Sequence, residues 1–310
     1  MLWNSPDICA YDWSNWKGFL IRAIWPRVRR IRAEFNESAQ EVAQRLPRST
    51  RILLLHLNIS VLSPFIADTP AFANVLQKRG VRVLNCHPTD IRKRTLQSMC
   101  REFGLPSVAA QEAGPDEEML IVKTDFNSGG RQEQLLSPAQ RAKFDLPAQI
   151  GRMKNPADYF VGRRGQLTAD TWRDPTLVIE RFIRNPLNRF YRVYAAVNSI
   201  VISEAYTDAN VKRMEGRIRR HNHFLCREGA RIESHATDVS KLPPRLIEVA
   251  GLFLDRFQLQ YGAVDFVESE SGEFYAVDLN RTPYWGNEKQ RGMIEHLRLG
   301  FSDVLEDSRP

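Results

Sequence analysis

The 310-residue chain has few of the short patterns that identify common enzyme classes. Its four cysteines (9, 86, 100 and 226) show neither CxxC nor zinc-site spacing, which favours reduced thiols in a cytosolic protein. Neither a GxxxxGK[ST] loop nor a GxGxxG fingerprint is present, so the commonest phosphate-binding motifs are missing. No apolar run approaches the roughly 20 residues that span a bilayer, and the first residues lack the pattern of a secretion signal. We therefore expect a cytoplasmic protein.

The composition shows enough hydrophobic material for a folded core and an excess of positive charge. Hydrophobic residues make up 43% of the chain, and 44 Lys and Arg residues face 37 Asp and Glu residues. The net charge of +7 favours anionic ligands such as nucleotides or acidic small molecules. The basic residues are spread along the chain and form no stripe with aromatic residues, so nucleic-acid binding is not expected.

Predicted strands and helices alternate from residue 51 onward. The short apolar run 51–57 is typical of a buried parallel strand, and a predicted helix runs from Thr69 to Gly80. A second strand at 81–85 and a helix that stops at Gly104 complete a small α/β unit. Further strands and a long helix follow, which predicts a mixed α/β and α+β protein.

The first 50 residues are predicted to form a helical extension before this unit. The stretch from Trp16 to Arg32 mixes aromatic residues and arginines, and Pro26 interrupts any helix there. Ser38 and Glu41 have the spacing of a capping box and predict a short helix. A flap packed on the main body is one interpretation, and contact with a membrane surface or nucleic acid is another.

Two acidic strand ends near the C-terminus form the first candidate site. Segments 261–268 and 274–280 flank a polar turn with a glycine, which predicts a β-hairpin. Asp278 and Asn280 share a face because they are two apart on one strand, and Asp265 can join them from the other strand. Two carboxylates and an amide oxygen suit Mg2+ with open positions for water and phosphate. The alternative is a solvated hairpin with ordinary surface acids.

A lysine at a strand end forms the second candidate site. Lys123 ends an apolar run and precedes a loop that contains Ser128, Gly129 and Gly130. Glycines let backbone N–H groups approach phosphate oxygens, and the ammonium group adds a positive charge. A hairpin turn with an exposed lysine is the alternative. The apolar segment 177–183 can line an adenine pocket or form a half-buried strand.

Along the chain, the small α/β unit is followed by the strand with Lys123 and its glycine loop, the apolar segment 177–183 and the acidic hairpin. This order resembles the ATP-grasp superfamily over roughly residues 51–300, in particular its D-alanine–D-alanine ligase and glutamate-ligase branches. The resemblance implies a small preATP-grasp-like α/β domain at 51–116 and a two-lobed ATP-grasp domain at 117–310. The small lobe would cover about 117–185 and the large lobe about 186–310.

Residue by residue, the resemblance implies a set of nucleotide and metal contacts. Lys93, thirteen residues before the proline of a Gly-Leu-Pro sequence, and Lys123 match the two ATP lysines. The matched metal ligands are Asp265, Asp278 and Asn280. The matched phosphate-covering loop and adenine hinge are Ser128, Gly129, Gly130, Glu180, Arg181, Phe182 and Ile183.

The substrate side resembles the family less closely. Arg192 falls where the family places a central-strand arginine near the phosphates, and Arg220 matches a carboxylate clamp in an Arg-rich loop. That loop departs from the family because no Gly-Gly follows Asn222, and it can equally be a solvated loop. No acidic residue between 184 and 190 matches the usual ribose contact, and Asp278 stands where the family often has Glu.

The resemblance implies an ATP-dependent ligase that joins a carboxylate to an amine or thiol through an acyl phosphate. ATP and Mg2+, with Mn2+ as an alternative ion, are the implied cofactors. The implied partners are small-molecule carboxylate and amine substrates, without nucleic acid or a membrane span, and homodimer formation stays open. The alternatives are a kinase acting on a small acceptor and a nucleotide-binding regulatory or scaffold protein without turnover.

Overall fold

The computed structural model describes residues 7–13, 18–150, 153, 158–209, 220–227, 241–284 and 291–307. Within these ranges the first sheet has four parallel strands in the order β2-β1-β3-β4. Its strands are β1 (Ile8–Trp13), β2 (Arg29–Arg32), β3 (Ile52–Leu57) and β4 (Arg82–Leu84). The helices of this part are α1 (Leu20–Ile24), α2 (Ala39–Arg45), α3 (Thr69–Gln77) and α4 (Lys93–Glu102).

The prediction of a helical extension over residues 1–50 is wrong. Strand β1 lies between β2 and β3, so the α/β unit starts with β1 and not at residue 51. All six residues of β1 are buried, which suits a parallel strand covered on both faces. The apolar run of β1 is broken by Asp12, which hides the strand in the sequence. Helix α2 does form as predicted, with the capping box between Ser38 and Glu41.

The rest of the described chain forms two antiparallel sheets. The three-stranded sheet has the order β6-β5-β7, and the five-stranded sheet has the order β10-β9-β8-β11-β12. Their strands are β5 (Met119–Thr124), β6 (Phe160–Arg163), β7 (Leu177–Arg181), β8 (Arg189–Ala196), β9 (Ser199–Tyr206), β10 (Arg220–Arg227), β11 (Tyr261–Glu268) and β12 (Phe274–Asn280). The helices are α5 (Pro138–Lys143), α6 (Ala169–Arg173), α7 (Pro244–Phe257) and α8 (Arg291–Asp307).

The five-stranded sheet has an apolar helix on each face. Phe253 of α7 stacks on Phe257 of the same helix and meets the ring of Phe266 of β11. On the other face, Phe301 of α8 meets the ring of Tyr261. Side chains alternate along each strand, so one set of strand residues joins the α7 core and the other joins the α8 core. Among the described residues, no helix combines the length and apolar character that a membrane crossing requires.

Asn85, just after β4, holds the parallel sheet against β11. Its side-chain amide donates to the carbonyl of Tyr261 at 2.7 Å, and its Oδ1 accepts from the N–H of Tyr261 at 2.8 Å. Its own N–H donates to Oε1 of Gln260 at 2.9 Å. Asn85 is fully buried and has a φ of 64°, a conformation that asparagine tolerates better than most residues.

Replacing Asn85 with alanine should lower the free energy of unfolding by about 2–4 kcal/mol, because two backbone groups of Tyr261 would lose their partners in a buried place. Urea denaturation measures the loss. The control is Asn74→Ala on the exposed face of α3, which should stay within about 0.5 kcal/mol of the parent. An equal effect of the two substitutions would show that Asn85 does not hold these parts together.

Candidate active site

The acidic hairpin forms as predicted and brings its acids to one face. Asp265 of β11 lies directly opposite Asp278 of β12, and Ala263 lies opposite Asn280. The register then shifts, since Phe266 faces Ala276. Val277 is therefore an extra residue that makes a bulge, and such bulges re-aim neighbouring side chains and backbone groups.

Two cations hold these carboxylates. Arg192 lies opposite Asp265 on β8, and its Nε and Nη2 donate to the two carboxylate oxygens at 2.6 and 2.7 Å. Lys93, the first residue of α4, places Nζ 3.3 Å from Oδ1 of Asp278 and donates to the carbonyl of Phe126 at 3.2 Å. The Asp265 side chain is 8% exposed and that of Asp278 is 32% exposed, so solvent reaches the site on the Asp278 side.

The second predicted lysine reaches the same place from the small sheet. Nζ of Lys123 on β5 lies 2.5 Å from Oε2 of Glu180 on β7 and donates to the carbonyl of Val277 at 3.1 Å. The two ammonium groups therefore contact consecutive residues of β12, since Lys93 pairs with the side chain of Asp278. Glu180 is 1% exposed, and its Oε1 has no hydrogen-bond partner among the described residues.

The residues predicted as an adenine hinge lie at the end of β7. The N–H groups of Arg181 and Phe182 donate to the carbonyls of Val108 and Met119 at 2.7 and 2.9 Å. Both N–H groups are thus hydrogen-bonded within the protein, and the carboxylate of Glu180 pairs with Lys123. An adenine contact of this segment, including Ile183, stays a prediction.

The glycine loop forms a tight turn beside the acids. Ser128, Gly129 and Gly130 all have positive φ, and a Cβ at Gly130 would lie 2.3 Å from Cγ2 of Ile150. The side-chain amide of Asn127 donates to Oδ1 of Asn280 at 3.3 Å. Ser128 is exposed and its glycine neighbours are buried, so glycine is needed here for packing as well as for conformation. Covering of phosphate by this loop stays a prediction.

The predicted substrate residues are only partly described. Arg220 lies in β10 opposite Tyr206, but its side chain is outside the described residues. His223, also in β10, places Nδ1 2.8 Å from Oγ of Ser203. The role of Arg220 as a carboxylate clamp stays a prediction.

Two buried polar residues were not predicted from the sequence. Gln97 of α4 donates to the carbonyl of Ala276 at 2.8 Å and accepts from the N–H of Val108 at 2.9 Å. Arg281 is completely buried and donates to the carbonyls of Pro88 and Ile59 at 2.8 and 2.7 Å. Burial lowers the pKa of Arg281 to about 10. In the sequence, the only signal for Arg281 is its position directly after Asn280, a predicted metal ligand.

Comparison with known proteins gives matches among solved structures. No family model and no curated protein matches the sequence. D-alanyl-alanine synthetase A from Vibrio cholerae O1 biovar eltor str. N16961 is similar over 98% of this chain and 97% of its own, with a TM-score of 0.50 and 12% identity. The chain has the ATP-grasp fold. The predicted α/β and α+β fold class is thereby confirmed.

Two further structures match at lower TM-scores. The ATP-grasp ligase PsnB, complexed with a minimal precursor, is 11% identical, with 98% of this chain and 99% of its own covered at a TM-score of 0.48. An N5-carboxyaminoimidazole ribonucleotide synthetase in its ADP complex is 13% identical, with 94% and 76% covered at a TM-score of 0.49.

Burial and the three ion pairs determine the pKa shifts of the charged groups at the candidate site. Burial raises the pKa values of Asp265 and Glu180, while Arg192 and Lys123 act in the opposite direction. Burial is the strongest single influence on the pKa of Lys93 and lowers it, but Asp278, Tyr159 and Glu180 together raise the pKa above its ordinary value. Lys93 therefore stays protonated at any physiological pH.

The oxygen donors of the hairpin are of the chemical type that binds a divalent cation. Asp265, Asp278 and Asn280 present two carboxylates and an amide oxygen on one face of the hairpin. Among the described residues, no group of three or more His, Cys, Asp or Glu side chains has a metal-site arrangement, and the third donor here is an asparagine. The residues present thus fit a partly open magnesium site better than a closed structural one.

Breaking the buried pair of Lys123 and Glu180 should lower the free energy of unfolding strongly, whereas replacing both residues with apolar ones should lower it less. Glu180→Gln should lower the free energy of unfolding by about 3–5 kcal/mol, because it leaves a buried ammonium group without a counter-charge. The double variant Lys123→Met, Glu180→Met should be more stable than either single variant, since two apolar chains need no hydration. Urea denaturation of the parent, Lys123→Met, Glu180→Met and the double variant gives the coupling energy.

Glu295→Gln is the matched control, since Glu295 forms an exposed pair with Arg291 on α8. It should change stability far less than Glu180→Gln, because solvent screens an exposed pair. Additive single substitutions at 123 and 180 would mean that the two groups do not interact.

Proposed function

We propose that the protein is an ATP- and Mg2+-dependent ligase that joins a carboxylate to an amine or thiol through an acyl phosphate. The observation that carries the proposal is the convergence of three cations, Lys93, Lys123 and Arg192, on the acidic hairpin. A polyanion held there would meet positive charge from α4, β5 and β8 together. The shared fold with a D-alanyl-alanine synthetase supports a ligase of this kind.

Each charged residue has a distinct role in the proposed reaction. Lys93 and Lys123 neutralise phosphate oxygens of ATP, because their ammonium groups contact adjacent residues of β12. Asp265, Asp278 and Asn280 would hold Mg2+, which when bound stabilises the charge of the phosphoryl group that is transferred.

The chemistry on the substrate side needs no nucleophilic side chain. The substrate carboxylate attacks the γ-phosphorus, ADP leaves, and the amine then displaces phosphate from the acyl group. Arg192 would stabilise the acyl phosphate and Arg220 would hold the substrate carboxylate, each through paired N–H donors. The turn at residues 128–130 would cover the phosphates and exclude water, which otherwise hydrolyses an acyl phosphate.

The domain and cellular assignments belong to the same proposal. A small lobe about 117–185 contains the three-stranded sheet, and a large lobe about 186–310 contains the five-stranded sheet. The adenine ring would lie against 180–183 between them. We place the protein in the cytoplasm, acting on small-molecule acids and amines, and its oligomeric state is to be measured by light scattering.

The proposal is tested by ADP release and product mass spectrometry with a pooled panel of amino acids and simple amines. Release should require both an acid and an amine, and MgATP at a hundredfold excess over its dissociation constant should stabilise the protein by about 2.7 kcal/mol. ADP release with an acceptor that is not a carboxylate would support the kinase alternative. Binding of MgATP without turnover on any acceptor would contradict the ligase.

Asp278→Asn should reduce kcat by at least about 100-fold, because a neutral amide removes one charge from the metal site, and this factor corresponds to about 2.7 kcal/mol of activation free energy. Its free energy of unfolding should fall as well, because the buried ammonium group of Lys93 loses its counter-charge, so kcat is compared below the melting temperature of the variant. Asp255→Asn on the exposed surface of α7 is the control and should keep full activity. Unchanged turnover of Asp278→Asn would remove Asp278 from the metal site.

A further inference from the structure

Every candidate metal donor of the hairpin is already engaged by a group of the protein. Both oxygens of Asp265 accept from Arg192, and Oδ1 of Asp278 lies 3.3 Å from Nζ of Lys93. Oδ1 of Asn280 accepts from the side-chain amide of Asn127 and, at 2.9 Å, from the N–H of Thr282. A metal ion at this place therefore competes with contacts from β8, from α4 and from the glycine turn.

The described charges around the hairpin also balance without a metal. Arg192 pairs with Asp265, Lys93 with Asp278, and Lys123 with Glu180. The side chains of these pairs are 8% exposed or less except for Asp278, at 32%, and Arg192, at 16%. A bare divalent cation would add two uncompensated charges to a poorly hydrated place, which is strongly unfavourable. A nucleotide brings negative charge and removes this obstacle.

The proposed function assigns to phosphate the same cations that hold the acids: Lys93 to ATP, and Arg192 to the phosphoryl group that becomes the acyl phosphate. We infer that metal and nucleotide bind by a linked charge exchange, in which phosphate oxygens take Arg192 and Lys93 and thereby release Asp265 and Asp278 for Mg2+. The inference rests on the proposed function and concerns the regulation of its site. The protein alone then excludes free Mg2+, and the metal site exists only together with a bound polyphosphate.

The exchange couples the parts of the structure that surround the site. When the exchange occurs, Asp265 and Asp278 lose their contacts with Arg192 on β8 and with Lys93 at the start of α4. Asn280 loses its contact with Asn127 in the glycine turn. Binding free energies are reciprocal, so nucleotide must raise metal affinity by the same factor by which metal raises nucleotide affinity. Couplings of this type are commonly about 5- to 150-fold.

The test uses Mn2+ as a paramagnetic probe, with free Mn2+ counted by electron paramagnetic resonance in the absence of nucleotide. The proteins are the parent, Arg192→Met, Lys93→Met and the control Arg189→Met. Arg189 is also on β8 and also pairs with a carboxylate of β11, Glu268 at 2.5 Å, but it lies away from the three donors. Arg189 also lies 3.5 Å from Glu204, so its removal frees two carboxylates without opening the proposed metal site.

Arg192→Met and Lys93→Met should each bind Mn2+ at least about tenfold more tightly than the parent, within the range of ordinary coupling factors. Their melting temperatures should also rise with Mn2+ alone, while the parent and Arg189→Met should not respond. Should Arg192→Met fail to fold, Lys93→Met decides the question, because the Asp278 that it frees is partly hydrated. Equal Mn2+ affinity of the parent and Lys93→Met would overturn the inference.

A second measurement separates this inference from the proposed function. The parent is titrated with ATP in the presence and in the absence of Mg2+, with thermal unfolding as the readout. No response to MgATP at all would overturn the proposed function and the inference with it. A response to MgATP together with strong binding of free Mn2+ by the parent would overturn the charge exchange and leave ATP binding intact.

Discussion

The site depends on one constraint: a buried charged group needs a partner of opposite charge. Asp265 lies inside the five-stranded sheet, where an isolated carboxylate would be very unfavourable, and Arg192 on the next strand supplies the opposite charge with two hydrogen bonds. Asp278 and Glu180 repeat this arrangement with Lys93 and Lys123. Each pair joins two different elements, so the charges set the relative positions of β8, β11, β12, α4, β5 and β7.

The bulge at Val277 makes this arrangement geometrically feasible. The extra residue turns Asp278 and Asn280 onto the face of Asp265, while Ala276 points into the α7 core. Lys123 and Gln97 then bind the carbonyls of Val277 and Ala276. The edge of the large sheet is thus held by side chains of the small sheet and of α4, and this contact is polar where the two helix-covered faces are apolar.

The elements predicted correctly from the sequence are those marked by patterns within a short stretch of chain. The hairpin over 261–280 and the strand with Lys123 near its end follow from apolar patterns and turn residues. The predicted metal ligands share a face because of strand periodicity. Strand β1 was missed because its apolar run is broken by Asp12, which is buried beside Arg30 and His56. A pairing between strands forty residues apart cannot be seen in either segment alone.

The amino-acid sequence by itself determined the kinds of groups at the site and the face that the acids share, because spacing along a strand dictates these. Only the tertiary structure decided which cation holds which acid, that Glu180 serves Lys123, and that Gln97, Asn85 and Arg281 join separate parts. These contacts link residues far apart in the chain. Burial selects these partners, because most polar groups inside a protein form a hydrogen bond with a nearby complementary group.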